Sequence, residues 1–256
     1  MNASDEYDQA VVGHSEVSAW NRLCRIGGIT AFVLIAYCLA TMVQLVVLGG
    51  QPATAAEAFR LLQENKVIGL LRLDLPTVIV LPLYYLVFLG LFAALRGTDF
   101  ANAIVATALA FVGVTLVVAT PTALPMVALS EKYASATTEA ARTQLLAAGE
   151  TILATDIWHG TGAFMGGILL QTGAVLISFV MLRSSAFGKT VGYMGIVAHG
   201  LDLGHIILGH FVPTVGVVLM AIAGPLYPVW FFLVGRRLLL VRRPGRELTD
   251  PAAPVR

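Results

Sequence analysis

Apolar residues along this chain form six long runs that are separated by shorter polar segments. The runs cover residues 24–48, 74–95, 101–120, 156–182, 190–211 and 213–240. An α-helix needs about 20 apolar residues to cross the hydrocarbon core of a bilayer, and each run reaches that length. The pattern therefore predicts an all-α membrane protein built as a bundle of six transmembrane helices, with seven as the upper count.

Two segments outside the long runs show an amphipathic pattern instead. In residues 51–73, apolar side chains recur at helical spacing between charged ones such as Glu57 and Arg60. Such a pattern is typical of a helix that lays one apolar face on a membrane or protein surface. Residues 126–156 repeat the pattern more weakly. We therefore predict one or two interfacial or external amphipathic helices.

Charge divides the chain into three parts. Residues 1–20 are a polar N-terminal arm, residues 21–240 a single transmembrane domain, and residues 241–256 a basic, proline-containing tail. With six spans, one side of the membrane receives the more strongly basic segments, which carry Arg22, Arg25, Arg96, Arg183, Lys189, Arg236, Arg237 and the arginines of the tail. Because basic loops remain on the cytoplasmic side, we predict a plasma-membrane protein with both termini in the cytoplasm.

The composition supports a membrane protein and gives no sign of a nucleic-acid-binding protein. Only 12% of the residues are charged and 57% are hydrophobic, whereas soluble domains carry about a quarter charged residues. No basic stripe interleaved with aromatic residues lies outside the tail, so a nucleic-acid partner is not expected. The lipid bilayer is the predicted partner, and the oligomeric state is open, with a homo-oligomer among the alternatives.

Polar residues within or beside the apolar runs are the candidates for function. His199, Asp202 and His205 lie in the fifth run, while His159 and Asp74 lie at the ends of two other runs. In the predicted topology all five lie at mid-membrane or towards the outer side. Ionisable groups at membrane depth are costly and usually mark a functional or tightly paired group. These five residues are therefore the predicted ligand-binding candidates.

Helix geometry limits how the fifth run can use its polar residues. At 100° per residue, Asp202 lies about 60° from both His199 and His205, which are themselves about 120° and 9 Å apart. A regular helix therefore cannot give both histidines to one metal ion. Gly200 and Gly204 fall on roughly the opposite face, where small residues favour close approach of a second helix.

Three interpretations of this cluster remain open. His159, Asp202 and His205 could supply three ligands to a zinc-like ion with an open position for water. Alternatively, the same side chains form a hydrogen-bonded network that fixes helix register. A proton or ion path is the third interpretation, although only Gln44, Gln171 and Thr172 would continue it into the inner half. For Asp74, capping of its own helix is the simpler explanation.

Several motifs resemble those of a known protein family. They are Ala56-Glu57-Ala58-Phe59-Arg60, Leu71-Arg72-Leu73-Asp74-Leu75-Pro76, the segment from Leu129 to Tyr133, Trp158-His159-Gly160, the run from Pro225 to Trp230, and Gly235-Arg236-Arg237. Together they resemble a bacterial family of multi-pass membrane proteins of unknown function. The resemblance covers about residues 20–240 and implies a bundle of six or seven helices, without an activity.

A more distant resemblance is to intramembrane metal hydrolases of the ceramidase and adipoQ-receptor type. Those proteins use several histidines, an aspartate and a serine, whereas the spacing of His199, Asp202 and His205 departs from their His-xxx-His pattern. The sequence therefore favours an integral membrane protein that binds a small or lipidic ligand at an outer-leaflet His/Asp cluster. An intramembrane metal-dependent hydrolase and a transporter or proton-coupled carrier are the alternatives, so enzymatic activity stays open.

Overall fold

The fold was examined in a computed structural model, which describes residues 3–119, 121–156 and 159–241, with side chains from residue 17 onward. These residues form helices and no strand, which confirms the all-α prediction. The basic tail beyond residue 241 and Trp158 lie outside the described residues. The helices are α1 (Ala3–Val47), α2 (Ala55–Glu64), α3 (Lys66–Arg72), α4 (Leu75–Val80), α5 (Leu83–Leu95), α6 (Phe100–Val118), α7 (Ala123–Ser135), α8 (Glu139–Leu153), α9 (Thr161–Arg183), α10 (Lys189–Gly209) and α11 (Pro213–Leu240).

Six segments are long and apolar enough to cross a membrane, as the sequence predicts. They are Val17–Val47, Leu75–Leu95, Phe100–Ser135, Thr161–Arg183, Lys189–Gly209 and Pro213–Leu240. The chain is therefore a multi-pass membrane protein. Helix α1 begins at Ala3, so most of the predicted polar arm is the first part of the first long helix rather than a separate segment.

Prolines divide two of the six spans. The second span is divided into α4 and α5, because Pro82 has no amide hydrogen for the helical ladder. The third segment is likewise divided into α6 and α7 around Pro121. By contrast, α11 continues through Pro225 and Pro228 as one helix.

The transmembrane helices pack through positions where two backbones approach closely. Helix α6 lies against α9, and an added Cβ atom at Gly113 would lie 2.6 Å from the carbonyl oxygen of Gly166. Helix α1 meets α5 in the same way, where Gly27 faces Gly90. A larger side chain at these contacts would force the helices apart, so glycine sets the interhelical distance.

Helices α2, α3, α7 and α8 form a second layer, which we call the helical cap. Its core contains Ala55, Ala58, Phe59 and Leu62 of α2, at the i, i+3, i+4, i+7 spacing of one helix face. These residues pack on apolar side chains of α7 and α8, including Met126. The two predicted amphipathic segments therefore cover each other and together exclude water from their apolar faces.

Candidate polar site between helices α9, α10 and α11

Asp202 of α10 lies between a side chain of α9 and a side chain of α11. Gln171 donates through Nε2 to Asp202 Oδ2 at 2.6 Å, and the Tyr227 hydroxyl donates to the same oxygen at 2.8 Å. The three helices therefore meet at one carboxylate oxygen. Two donors on one oxygen hold the carboxylate in a fixed orientation and offset part of the cost of placing it at membrane depth.

His199 joins this site through the other end of the Gln171 amide. Its Nδ1 lies 2.6 Å from Gln171 Oε1. Because the amide nitrogen of Gln171 donates to Asp202, its oxygen accepts from His199, so the histidine carries a proton on Nδ1. Asp202, Gln171 and His199 thus form a continuous hydrogen-bonded chain across α9 and α10.

The His199 ring is fully buried between two aromatic rings of α11. Its centroid lies 4.4 Å from that of Trp230 and 5.0 Å from that of Tyr227, both in edge-to-face geometry. Within the described part of the chain, His199 Nε2 and Trp230 Nε1 are buried without a hydrogen-bond partner. At this end of the site, the aromatic rings of α11 enclose the imidazole and hold it rigidly.

The second oxygen of Asp202 differs from the first. Oδ1 has no hydrogen-bond partner among the described residues, and the residue as a whole is half-buried. A carboxylate can accept about four hydrogen bonds. Asp202 therefore has free acceptor capacity on a side chain whose orientation is already fixed.

The polar site requires α10 to pack closely against α9 and α11, and Gly195 makes this packing possible. An added Cβ atom at Gly195 would overlap the side chain of Ser178 on α9 and would approach Trp230 Nε1 on α11. Glycine at this position therefore lets α9, α10 and α11 converge one turn before His199. The predicted contact at Gly200 is wrong, because a Cβ atom there would meet nothing within 4 Å.

His205 and His210 do not join the Asp202 chain. His205 Nδ1 lies 2.9 Å from the carbonyl oxygen of Gly216 on α11, to which it donates. His210 Nδ1 bonds to the carbonyl oxygen of Ile206 in its own helix, and its ring lies against Phe164. Each histidine therefore forms a hydrogen bond to a backbone carbonyl.

His159 lies at the helical cap, where it pairs with Asp156. Its Nδ1 lies 2.9 Å from Asp156 Oδ1, and its ring is 69% exposed, whereas the carboxylate is almost fully buried. Gln51 donates to the other oxygen of Asp156 at 2.6 Å. These contacts join the start of the fourth span to the loop before α2.

Asp74 also belongs to the cap, and it does not cap its own helix. Its carboxylate makes no capping bond to α4. Instead it accepts hydrogen bonds from the backbone amides of Thr122 and Ala123 and from the Thr122 hydroxyl. The prediction that Asp74 caps its own helix is wrong, because the buried carboxylate caps α7 from 48 residues away.

The structure therefore distributes the five predicted residues over separate environments. His199 and Asp202 share one hydrogen-bonded chain, His205 bonds to α11, and His159 and Asp74 contact the cap. Among the described residues, no three His, Cys, Asp or Glu side chains lie where they could hold a metal ion together. The three ligands proposed for zinc, His159, Asp202 and His205, are thus not assembled into one set.

Gln171 and Tyr227 are the site residues that lie outside the predicted ligand-binding set, and Gln171 enters only the ion-path interpretation. The predicted topology places Gln171 in the inner half of the bundle, away from Asp202, and the direct contact between them shows that this separation is wrong. The only signal was an amide in an otherwise apolar span. Tyr227 lies between Pro225 and Pro228, where an aromatic residue is equally typical of packing.

Comparisons with known proteins add no relative to this description. No family model, curated protein or solved structure matches the chain. The resemblance to a bacterial membrane-protein family therefore stays a prediction.

Proposed function

We propose that this multi-pass membrane protein binds a small or lipidic ligand at Asp202. The ligand donates hydrogen bonds to the free oxygen of the carboxylate, through an ammonium or hydroxyl group. The observation that carries the proposal is the asymmetry of Asp202, in which one oxygen receives two bonds and the other receives none from the described residues.

The surroundings of Asp202 support a ligand that is apolar apart from its donor group. Tyr227 is partly buried and places its aromatic ring beside the carboxylate to which its hydroxyl donates. Binding sites for small molecules are typically apolar with a few fixed polar groups that set orientation. A long-chain amine meets both conditions, because its ammonium group complements the carboxylate and its chain enters the bilayer.

The proposal includes an orientation in the plasma membrane. The basic residues Arg96, Arg183, Lys189 and Arg237 lie at the ends of α5, α9, α10 and α11 that also face the chain termini. The positive-inside rule then places both termini in the cytoplasm. In this orientation Asp202 lies in the outer half of the bundle, and the cap faces outward.

Direct binding measurements on the purified full chain test the proposal. Native mass spectrometry with dodecylamine should show one bound amine per chain, and dodecanoate of the same length should not bind. Asp202→Asn should weaken amine binding about tenfold or more, because a hydrogen bond to a charged group contributes about 1.5–3 kcal/mol. Asp99→Asn removes a carboxylate elsewhere and should leave binding unchanged.

Three outcomes would count against the proposal. Equal binding of dodecylamine to the wild type and to Asp202→Asn would show that the amine enters the protein or its lipid shell elsewhere. Equal binding of dodecylamine and dodecanoate would show that the carboxylate does not select the head group. Loss of binding in Asp99→Asn as well would indicate a general effect of negative charge.

A further inference from the structure

A cavity lies at the opposite end of the bundle from the cap. It has a volume of about 680 Å³ and opens between the α5–α6 loop, the α9–α10 loop and the end of α11. Its lining includes the hydroxyl-bearing residues Thr98, Ser184 and Ser185, together with Arg237. Three separate parts of the chain thus place hydrogen-bond donors around one space.

Arg237 is the only cationic residue that lines this cavity in the described part of the chain, and it forms no ion pair there. Its guanidinium lies beside Gly188 of the α9–α10 loop, because an added Cβ atom at Gly188 would be 3.9 Å from Arg237 Nη2. Asp99, the acid of the adjoining α5–α6 loop, is already bound by Asn102 and Arg183. Among the described residues, no acid therefore compensates the charge of Arg237 at the cavity.

The apolar part of the lining indicates the form of the ligand. Ala94, Leu240 and Val241 border the same cavity on the side of the transmembrane helices. Arginine presents five donors in a planar fork that fits phosphate oxygens, and hydroxyl groups add further donors. We infer that this cavity binds a phosphate group, with Arg237 as its cationic ligand and the Thr98, Ser184 and Ser185 hydroxyls around it.

The source of the phosphate can be a lipid head group or a free phosphate compound, and the experiment distinguishes them. The purified full chain is titrated with dioctanoyl phosphatidylglycerol, with glycerol 3-phosphate and with dioctanoyl glycerol, and the bound species are counted by native mass spectrometry. Binding of the phospholipid and not of dioctanoyl glycerol supports the inference. Binding of glycerol 3-phosphate at similar concentrations identifies a free phosphate compound, whereas binding of the phospholipid alone identifies a lipid.

Two neighbouring arginines provide a matched pair of variants. Arg237→Gln should weaken phosphate binding about tenfold, since it removes charge-assisted bonds to the ligand. Arg236→Gln makes the same change of charge on an exposed residue that does not line the cavity, and it should leave binding within about twofold of the wild type. Both side chains are exposed, so neither variant should prevent folding.

Other results would overturn the inference. Equal losses in Arg236→Gln and Arg237→Gln would mean that the ligand senses only the general positive charge of this end. Unchanged binding in Arg237→Gln would mean that the cavity is not the site. Equal binding of dioctanoyl glycerol and phosphatidylglycerol would mean that the phosphate is not recognised.

Discussion

The helical cap and the transmembrane bundle each contain a carboxylate that is held by other elements, but the two are held differently. Asp74 is 1% exposed and uses both oxygens to accept three bonds from the start of α7. Asp202 is half-buried and receives two bonds on one oxygen, with the other unoccupied by the described residues. Both oxygens of Asp74 are hydrogen-bonded, whereas one oxygen of Asp202 is open, and this difference distinguishes a structural carboxylate from a candidate binding group.

Asp156 falls on the structural side of this comparison. Its Oδ1 accepts from the backbone amide of His159 and pairs with the imidazole, while its Oδ2 accepts from Gln51. The cap thus satisfies both of its buried carboxylates from within. A buried acid that is fully bonded contributes to stability, whereas a partly bonded one retains capacity for a ligand.

The largest expected effect is on the stability of the cap. Asp74→Asn should lower the free energy of unfolding by about 3 kcal/mol. The new NH₂ group would face N–H and O–H groups that now donate to the carboxylate, so buried polar groups would be left unpaired. Thermal unfolding of the purified protein, followed by circular dichroism, measures this. Asp99→Asn is the control at the partly buried N-cap of α6, outside the helical cap, and it should change stability by less than about 1 kcal/mol because asparagine caps helices about as well as aspartate. A smaller loss in Asp74→Asn than in Asp99→Asn would contradict the structural role.

The second effect concerns the packing that brings α9, α10 and α11 together. Gly195→Ala should destabilise the protein by about 1–3 kcal/mol, since the added methyl group overlaps Ser178 and Trp230. It should also weaken amine binding at Asp202, because the three helices would separate. Gly200→Ala lies five residues further along the same helix, where an added Cβ atom has space. This control should remain within about 1 kcal/mol of the wild type in unfolding experiments.

Equal behaviour of the two glycine variants would break the link between packing and the site. If both were neutral, α10 would not depend on Gly195 for its position. If both were destabilising, the open space at Gly200 would not exist in the folded protein.

The fold follows from the sequence more directly than the site does. Runs of about 20 apolar residues must form helices in a bilayer, because each unpaired backbone group there costs several kcal/mol. The spans and the break at Pro82 could therefore be predicted from local pattern alone. The cap was predicted in part, since the amphipathic segments are visible but their mutual packing is not.

The partners of the polar residues could not be predicted in the same way. Asp74 contacts Thr122, which lies 48 positions further along the chain, and Gln171 contacts Asp202, which lies 31 positions further along. Such pairs depend on which helices are neighbours and on their rotation, which glycine contacts such as Gly113 with Gly166 determine. Local periodicity predicts which face of its own helix a residue occupies, but it does not predict which residue of another helix lies opposite.

A third, smaller effect tests whether Tyr227 only orients the Asp202 carboxylate or also contacts the ligand. Tyr227→Phe removes one of the two donors to Oδ2 and should cost about 1 kcal/mol of stability. Amine binding should weaken less than in Asp202→Asn, because Gln171 still orients the carboxylate. Tyr193→Phe is a matched control, since Tyr193 is 58% exposed. A loss of binding in Tyr227→Phe as large as in Asp202→Asn would indicate that the tyrosine contacts the ligand itself.

The smallest effect is a pH dependence of the cap. The backbone amide of Ala53 and the Arg72 guanidinium, 2.9 Å away, both lower the pKa of Glu57 below its ordinary value of 4.5. A carboxyl whose pKa is lower in the folded state stabilises the fold above its unfolded pKa, and this contribution is lost as the pH falls through the folded value. Between pH 6 and pH 3, the free energy of unfolding of the wild type should therefore fall more than that of Glu57→Gln, by up to about 1 kcal/mol. The variant lacks the titrating group, so identical pH profiles for the two proteins would show that the Glu57–Arg72 pair contributes nothing to holding α2 against α3.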